Sequence, residues 1–233
     1  MTTRSSKYLQ IEGHDPSTNS LDFYPTPSEF CDAAIQLIPK NTAETYEKLD
    51  KEFRILDAGC GTGNWSYAAR KLWPTATVHG VDIANYGTSI VDGNPYDTWF
   101  QCDYRDFTTE KKYDRIISNP PYTRTLGGRD MLLAEKFVRK SMELSTRDAK
   151  ILFLLRLDFL AGERRCKGLF NEFRPTAIYQ SICRIPFYPE LGGGQTHNFC
   201  CVVWDKLYMR DFPEDKSASF NWFDWRSGNL EII

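Results

Sequence analysis

Residues 53–64 read FRILDAGCGTGN, and they narrow the choice of fold more than any other stretch. A short apolar run predicts a buried strand that ends at Asp57, and glycines follow at positions 59, 61 and 63. Glycine lets a backbone turn tightly and approach a ligand closely. A strand that enters a glycine-rich turn and then a helix is the nucleotide-binding arrangement of doubly wound α/β folds. Asn64 stands where the dinucleotide fingerprint has its third glycine, which weakens a NAD prediction.

Polar side chains also follow the next predicted strands. Residues 76–81 lead into Asp82, residues 99–102 lead into Asp103, and residues 113–118 lead into Asn119. Asp82 comes about one βαβ unit after Asp57, where a carboxylate can accept both ribose hydroxyls. Open α/β sheets bind ligands at the carboxyl ends of their strands. The four strands together therefore predict a ligand site at that edge of the sheet.

Residues 119–122 read NPPY. The two prolines fix their φ angles and have no N–H to donate, so nearby carbonyl oxygens remain available as acceptors. Asn119 adds a side-chain acceptor, and Tyr122 offers a flat ring. This group of residues suits a planar amino group, whose two hydrogens need two acceptors and whose plane can be held by stacking.

These motifs carry a family resemblance. The chain resembles class I S-adenosylmethionine-dependent methyltransferases, and more narrowly the DNA methyltransferases that modify the N6 amino group of adenine. The matching segments are FYPTP (residues 23–27), DAGCGTG, the acid in GVDI, the acid in CDYRDF, and NPPY. The resemblance covers roughly residues 22–204. It implies an α/β fold with a Rossmann-like seven-stranded sheet, an antiparallel last strand and helices on both faces.

The resemblance also implies roles for single residues. Asn119 and the Pro120 carbonyl would accept hydrogen bonds from the amino group, and Tyr122 would stack on a base flipped out of the helix. Phe187 or Tyr188 is a candidate for a second stacking surface. The implied catalytic residues are Asn119, Pro120, Pro121 and Tyr122. The implied S-adenosylmethionine-binding residues are Tyr24, Thr26, Asp57, Gly59, Gly61, Asp82, Asp103 and Asn119.

Length and composition predict a single catalytic domain. Of the 233 residues, we assign 1–21 to a flexible N-terminal segment, 22–205 to the methyltransferase domain and 206–233 to a tail packed on that domain. The seven cysteines form no C-x-x-C pair, which predicts a reducing compartment and no metal site. No apolar run of membrane-spanning length is present, so the expected location is the cytoplasm of a bacterial or phage-infected cell.

The charge is unevenly distributed. The net charge is −2, but residues 123–184 contain 13 Lys and Arg against 7 Asp and Glu, a local net of +6. Clustered cations beside an active site attract phosphates, so nucleic acid is the expected partner. DNA is favoured and RNA remains open. We use the name basic block for ten of these 13 cations: Arg124, Arg129, Lys136, Arg139, Lys140, Arg156, Arg164, Arg165, Lys167 and Arg174.

Three alternatives remain at this point. The NPPY chemistry also suits adenine in RNA, and it suits the side-chain amide of a protein glutamine. A third possibility is an inactive cofactor-binding subunit. No separate target-recognition domain can be identified, so a protein partner could supply target recognition.

Overall fold

The structure is a computed structural model that describes residues 23–39, 52–86, 93–122, 132–188, 197–226 and 230–233. Nine strands form one sheet in these residues. They are β1 (Arg54–Ala58), β2 (Thr77–Asp82), β3 (Thr98–Gln101), β4 (Tyr113–Ser118), β5 (Ser145–Arg156), β6 (Ala177–Ser181), β7 (Phe199–Asp205), β8 (Ser219–Asp224) and β9 (Glu231–Ile232). The helices are α1 (Ser28–Ala34), α2 (Asn64–Leu72), α3 (Leu132–Leu144), α4 (Glu163–Lys167), α5 (Leu169–Glu172) and α6 (Lys206–Asp211).

The strand order is β3-β2-β1-β4-β5-β7-β6-β8-β9. Strands β1 to β5 run parallel to one another, and β7 inserts antiparallel between β5 and β6. The predicted α/β class and the antiparallel strand near the end of the sheet are confirmed. Because the parallel strands point the same way, the residues after β1, β2 and β4 meet at one edge.

The predicted number of seven strands is too low. Strand β8 pairs in parallel with β6, and β9 pairs antiparallel with β8. Both strands come from residues 206–233, and residues 220–225 contain two tryptophans and two phenylalanines among polar residues. Tail residues with this pattern extend the sheet by main-chain hydrogen bonds and do not merely cover its surface.

Both faces of the central strands are covered. Ile55 and Leu56 are each 0% exposed, and adjacent residues of a strand point to opposite faces. All residues of β4 and β7 are buried. Near-continuous apolar strands of this kind are typical of sheets with helices on both faces.

Helix α1 follows a proline, and helix α2 follows a glycine. Helix α2 begins at Asn64, directly after Gly63, whose φ of 85° suits a residue without a side chain. Helix α1 begins at Ser28, and Pro27 holds the N-cap position. Pro27 has no N–H that would need a hydrogen-bond partner, so it is tolerated at the start of a helix.

Candidate active site

A cavity lies where the carboxyl ends of β1, β2 and β4 meet. Seven of the eight predicted cofactor-binding residues line it, and the exception is Asp57. Of the NPPY motif, Asn119 and Pro121 line the cavity. The predicted residues on the wall are Tyr24, Thr26, Gly59, Gly61, Asp82, Asp103 and Asn119. Other wall residues include Phe23, Asn64, Trp65, Ile83, Tyr86, Tyr104, Arg105 and Phe137.

Residues 23–27, which we call the strap, cross one side of this cavity and lead into α1. The Asn119 side-chain nitrogen donates hydrogen bonds to the Tyr24 carbonyl at 3.0 Å and to the Thr26 hydroxyl at 3.1 Å. On the other side of the strap, the Asn64 side-chain nitrogen donates to the Thr26 carbonyl at 2.6 Å. The strap is thus joined to both the glycine turn and the NPPY motif.

The contact with Tyr24 fixes the orientation of the Asn119 amide. A main-chain carbonyl can only accept a hydrogen bond, so the atom of Asn119 that faces it must be the nitrogen. The side-chain oxygen, Oδ1, therefore points away from the strap. The Tyr122 hydroxyl lies 3.5 Å from this oxygen, a long contact. The acceptor end of the amide is consequently oriented before any acceptor substrate is bound.

Asp82 closes the glycine turn. Its carboxylate accepts hydrogen bonds from the Gly61 amide at 2.8 Å and from the Ala84 amide at 3.0 Å. The side chain lies at the cavity wall and is 8% exposed as a residue. Burial raises the pKa of this carboxyl, and the backbone hydrogen bonds partly oppose that rise. Each carboxylate oxygen keeps a second lone pair for a ligand hydroxyl.

The glycine turn itself has left-handed backbone at its key positions. Gly59 has a φ of 69° and Gly61 a φ of 52°. A side-chain carbon at Gly61 would lie 2.9 Å from the Phe23 ring, too close for any real contact. The amides of Gly59 and Cys60 both donate to the Val81 carbonyl. The turn is therefore fixed by β2, and Gly61 lets the strap lie directly on it.

Asp103 is held by its neighbour Arg105. The Arg105 amide and Nε both donate to Asp103 Oδ1, at 3.0 and 2.9 Å, and the Arg105 guanidinium also bonds to Oδ2. Both residues line the cavity. The pairing fixes the carboxylate plane, which helps an acceptor meet a planar amino group. Arg105 was not predicted, although its position two residues after the acid in CDYRDF is a usable sequence signal.

Asp57 lies below the cavity. It is 0% exposed, and its Oδ2 accepts from the Ser66 hydroxyl at 2.7 Å and from the Tyr96 hydroxyl at 3.5 Å. Burial raises the pKa of Asp57 to about 8. The resemblance implied a cofactor-binding role for Asp57, but this side chain does not line the cavity, and the turn amides bond to Val81 and Asp82. The strand-ending acid is instead tied to α2.

Tyr122 and Pro120 are buried behind the cavity wall. Tyr122 is 5% exposed, and its hydroxyl donates to the Leu154 carbonyl at 2.9 Å. Its ring meets Phe199 edge-on, with 6.3 Å between centroids. These contacts fix the plane of the ring. Its stacking on a flipped base remains a prediction.

Several residues that hold the strap were not predicted from the sequence to do so. Phe23 stacks on Tyr86 with 4.1 Å between ring centroids and 14° between planes. The Tyr188 hydroxyl donates a hydrogen bond to the Phe23 carbonyl. Tyr188 was considered only as a stacking surface, and its partner lies 165 positions away in the chain, so no local pattern could reveal the contact.

The basic block is largely neutralised by nearby carboxylates. Arg124 and Arg129 lie outside the described residues. Of the other eight members, six form ion pairs, including Arg139 with both Glu135 and Glu172 and Arg164 with Glu135. The remaining pairs are Lys140–Glu143, Arg156–Asp158, Lys167–Glu163 and Arg174–Asp215. This pairing reduces the positive field that the sequence count suggested.

The described residues contain no group of three or more His, Cys, Asp and Glu side chains that could hold a metal ion. None of their helices is long and apolar enough to cross a membrane.

Comparison with known proteins places this site among methyl-transfer enzymes. The family model described as "Methyltransferase small domain" matches residues 23–180. A tRNA1(Val) (adenine(37)-N6)-methyltransferase of a Flavobacteriaceae bacterium is 35% identical over 78 residues, 30% of this chain and 34% of that protein. The Type II methyltransferase M.CvrRI of Paramecium bursaria Chlorella virus XZ-6E is 29% identical over 103 residues, 42% of this chain and 27% of that protein.

A release factor glutamine methyltransferase of Aliivibrio fischeri is 33% identical over 96 residues, 36% of this chain and 31% of that protein. The matched part of the chain thus spans about a third of each of these relatives. Among solved structures, a Listeria monocytogenes protein assigned to the class I S-adenosylmethionine-dependent methyltransferases aligns with a TM-score of 0.63 and 16% identity. That alignment covers 87% of this chain and 66% of the other. At this identity the likeness concerns the fold.

Proposed function

The chain belongs to the methyltransferase small domain family and uses S-adenosylmethionine, and on that premise we propose that it methylates the N6 amino group of adenine in DNA. The orientation of Asn119 carries the proposal. Its nitrogen is occupied by the strap, so its oxygen is left to accept a hydrogen from an incoming amino group. An enzyme that methylates a carboxylate or hydroxyl oxygen has less need of such an acceptor, because those substrates carry no amino hydrogens.

The cavity wall suits this cofactor chemically. Asp82 is a carboxylate that can accept from a ribose diol, and Asp103 can accept from an adenine amino group. Ile83 is apolar yet 43% exposed at the cavity, so a flat apolar ring would find a partner there. Gly59 and Gly61 allow close approach of a ligand to the backbone. The strap residues Tyr24 and Thr26 would cover the methionine end.

The proposed mechanism needs no nucleophile from the protein. The bound cofactor supplies a methyl group that moves to the amino nitrogen as the nitrogen lone pair forms the new bond and the carbon–sulfur pair stays on sulfur. Asn119 Oδ1 and the Pro120 carbonyl accept the two amino hydrogens, which localises the nitrogen lone pair. The same oxygens stabilise the positive charge that develops on nitrogen, and one proton then leaves to solvent. Holding the amino group in line is the remaining contribution of the protein.

Two observations support a nucleic-acid acceptor. One relative is named for adenine N6 methylation of tRNA, and another is a Type II methyltransferase from a virus. The tRNA relative also favours RNA as a second candidate. The ion pairs of the basic block argue for modest attraction to phosphates, so recognition of the base itself would carry more of the binding. A glutamine amide is a third acceptor class, because the release factor relative is named for it.

One labelling assay separates these acceptors. The protein is incubated with methyl-labelled S-adenosylmethionine and, in parallel, unmethylated duplex DNA, single-stranded DNA, RNA and a glutamine-containing peptide. Label in DNA, recovered as N6-methyladenine after digestion, is the expected result. Label confined to RNA or to the peptide would reject the DNA proposal. Heat-treated protein and Asn119→Ala serve as controls for label that does not depend on the site.

A further inference from the structure

A side chain 165 positions after the strap in sequence holds it in place. The Tyr188 hydroxyl donates a hydrogen bond to the main-chain carbonyl of Phe23. The next carbonyl, that of Tyr24, accepts from Asn119 at 3.0 Å. Two successive peptide carbonyls are therefore fixed by side chains from different parts of the fold. Fixing both restricts the φ and ψ angles of Tyr24, which lies between the two peptide planes.

The ring of Tyr188 also contacts the strap. Its centroid lies 5.9 Å from that of Tyr24, and Phe187 meets Tyr24 edge-on at 5.7 Å. Tyr188 is presented by buried neighbours, since Ile185 and Phe187 are 0% and 1% exposed. The Phe187 ring in turn meets Phe199 of β7 at 5.1 Å. The Tyr188 hydroxyl is thus positioned by well-packed neighbouring residues.

The hydrogen bond to Phe23 bears on the cavity. The Phe23 ring stacks on Tyr86 at 4.1 Å and lies over Gly61 of the glycine turn. All three residues line the cavity. Releasing the Phe23 carbonyl would free the residue whose ring covers the turn. It would also loosen the neighbouring carbonyl that orients Asn119.

We infer that Tyr188 is a positioning residue that holds the strap closed on bound cofactor and keeps the Asn119 amide oriented. The inference rests on the proposed function only for the role of Asn119. It gives the segment between β6 and β7 a task in cofactor retention. It also predicts that the hydroxyl and the ring make separable contributions.

The test compares Tyr188→Phe, Tyr188→Ala and the wild-type protein. S-adenosylhomocysteine is the probe, and its dissociation constant is measured by calorimetry. Loss of one hydrogen bond predicts about three- to tenfold weaker binding for Tyr188→Phe, and a larger loss for Tyr188→Ala. Tyr208→Phe is the matched control, because Tyr208 lies on α6, away from the cavity, and the change removes a hydroxyl that donates to Asp215. Its affinity should equal that of the wild type.

A second measurement, hydrogen–deuterium exchange, does not depend on whether the variants are active. Hydrogen–deuterium exchange of residues 23–27 with S-adenosylhomocysteine bound should be faster in Tyr188→Phe than in the wild type. In turnover, KM for S-adenosylmethionine should rise in step with the loss of affinity, and kcat should fall less than in Asn119→Ala. Tyr188→Phe could bind S-adenosylhomocysteine and exchange like the wild type while Tyr188→Ala is impaired. In that case only the packing of the ring matters, and a role for the hydroxyl is rejected.

Calorimetry and hydrogen–deuterium exchange need no methyl acceptor. A failure of DNA methylation would therefore leave the result for Tyr188 standing. Wild-type affinity in both Tyr188 variants would overturn the inference without touching the proposed acceptor.

Discussion

The side-chain nitrogen of Asn119 donates a hydrogen bond to the hydroxyl of Thr26 at 3.1 Å. This bond joins the NPPY motif after β4 to the strap before α1, 93 positions earlier in the chain. Asn119 thereby contacts the strap with its nitrogen and offers its oxygen to the substrate. A change at either residue should affect both cofactor binding and the acceptor oxygen, in different proportions.

Asn119→Ala should abolish most methyl transfer and also weaken cofactor binding. Loss of the acceptor oxygen is expected to cost roughly 3–4 kcal/mol of barrier, a fall in kcat of about 10²- to 10³-fold. Loss of the strap contacts should weaken S-adenosylhomocysteine binding by about tenfold. Single-turnover rates and calorimetry separate the two effects. Unchanged single-turnover rates would reject the proposed role of Asn119.

Thr26→Val should affect the strap without removing the acceptor oxygen. Valine keeps the branched shape but cannot accept the 3.1 Å hydrogen bond from Asn119. Binding of S-adenosylhomocysteine should weaken by about two- to tenfold, with a smaller fall in kcat than in Asn119→Ala. Thr26→Ser retains the hydroxyl and should behave like the wild type. Wild-type affinity in Thr26→Val would contradict the role of the hydroxyl.

Asp82→Asn should weaken cofactor binding more than it lowers stability. An amide cannot accept at both ends, so either Gly61 or Ala84 loses its hydrogen bond and the ligand loses a charged acceptor. Affinity for S-adenosylhomocysteine should fall by about 10- to 100-fold. Asp97→Asn is the control, because Asp97 accepts from the Val78 amide and Arg70. That variant should lose stability but keep its affinity.

Stability should fall as pH rises because of Asp57. Its pKa is raised to about 8 in the folded protein, so between pH 4 and 8 the folded state holds a proton that the unfolded state has lost. The free energy of unfolding should therefore decrease with pH across this window, by up to about 1 kcal/mol per unit. Urea titrations of the wild type and Asp57→Asn test this.

Asp57→Asn carries no titrating proton, so its slope should be smaller. Asp82, whose pKa is also raised, leaves a residual slope of the same sign. Identical slopes in the variant and the wild type would contradict the assignment of this effect to Asp57.

Binding to DNA should depend only weakly on salt. Six of the eight described members of the basic block pair with carboxylates, so few counterions should be released on binding. Glu135→Gln removes the partner shared by Arg139 and Arg164 and should steepen the slope of log affinity against log salt by about one. Glu110→Gln, an exposed change outside the basic block, is the charge-matched control. A steep wild-type slope would show that Arg124, Arg129 or other cations dominate.

The sequence predicted the parts of the fold that depend on local patterns. Apolar runs that end in a polar residue predicted β1, β2, β3 and β4, and the parallel arrangement then brought their ends together. The sheet extension by β8 was not predicted, because the pairing of Phe220 with Ile178 is a long-range contact with no local signal.

The same distinction holds within the site. Asp82, Gly61 and Asn119 could be predicted, because each follows a strand in a recognisable motif. Asp57 shares that pattern yet turns away from the cavity, because the Ser66 hydroxyl on α2 offers it a closer partner. Tyr188 was missed as a strap contact because its task depends on where a distant segment folds.

Helix α1, which continues from the strap, rests on rings contributed by the last part of the chain. Phe30 meets Phe223 at 5.8 Å and Trp225 at 5.6 Å between centroids. Contacts so distant in sequence form late in folding, since a long loop must close first. During synthesis on the ribosome, α1 consequently lacks these two ring contacts until residues 223–225 have emerged. A nascent chain should therefore gain its full ability to retain the methyl donor only after that point.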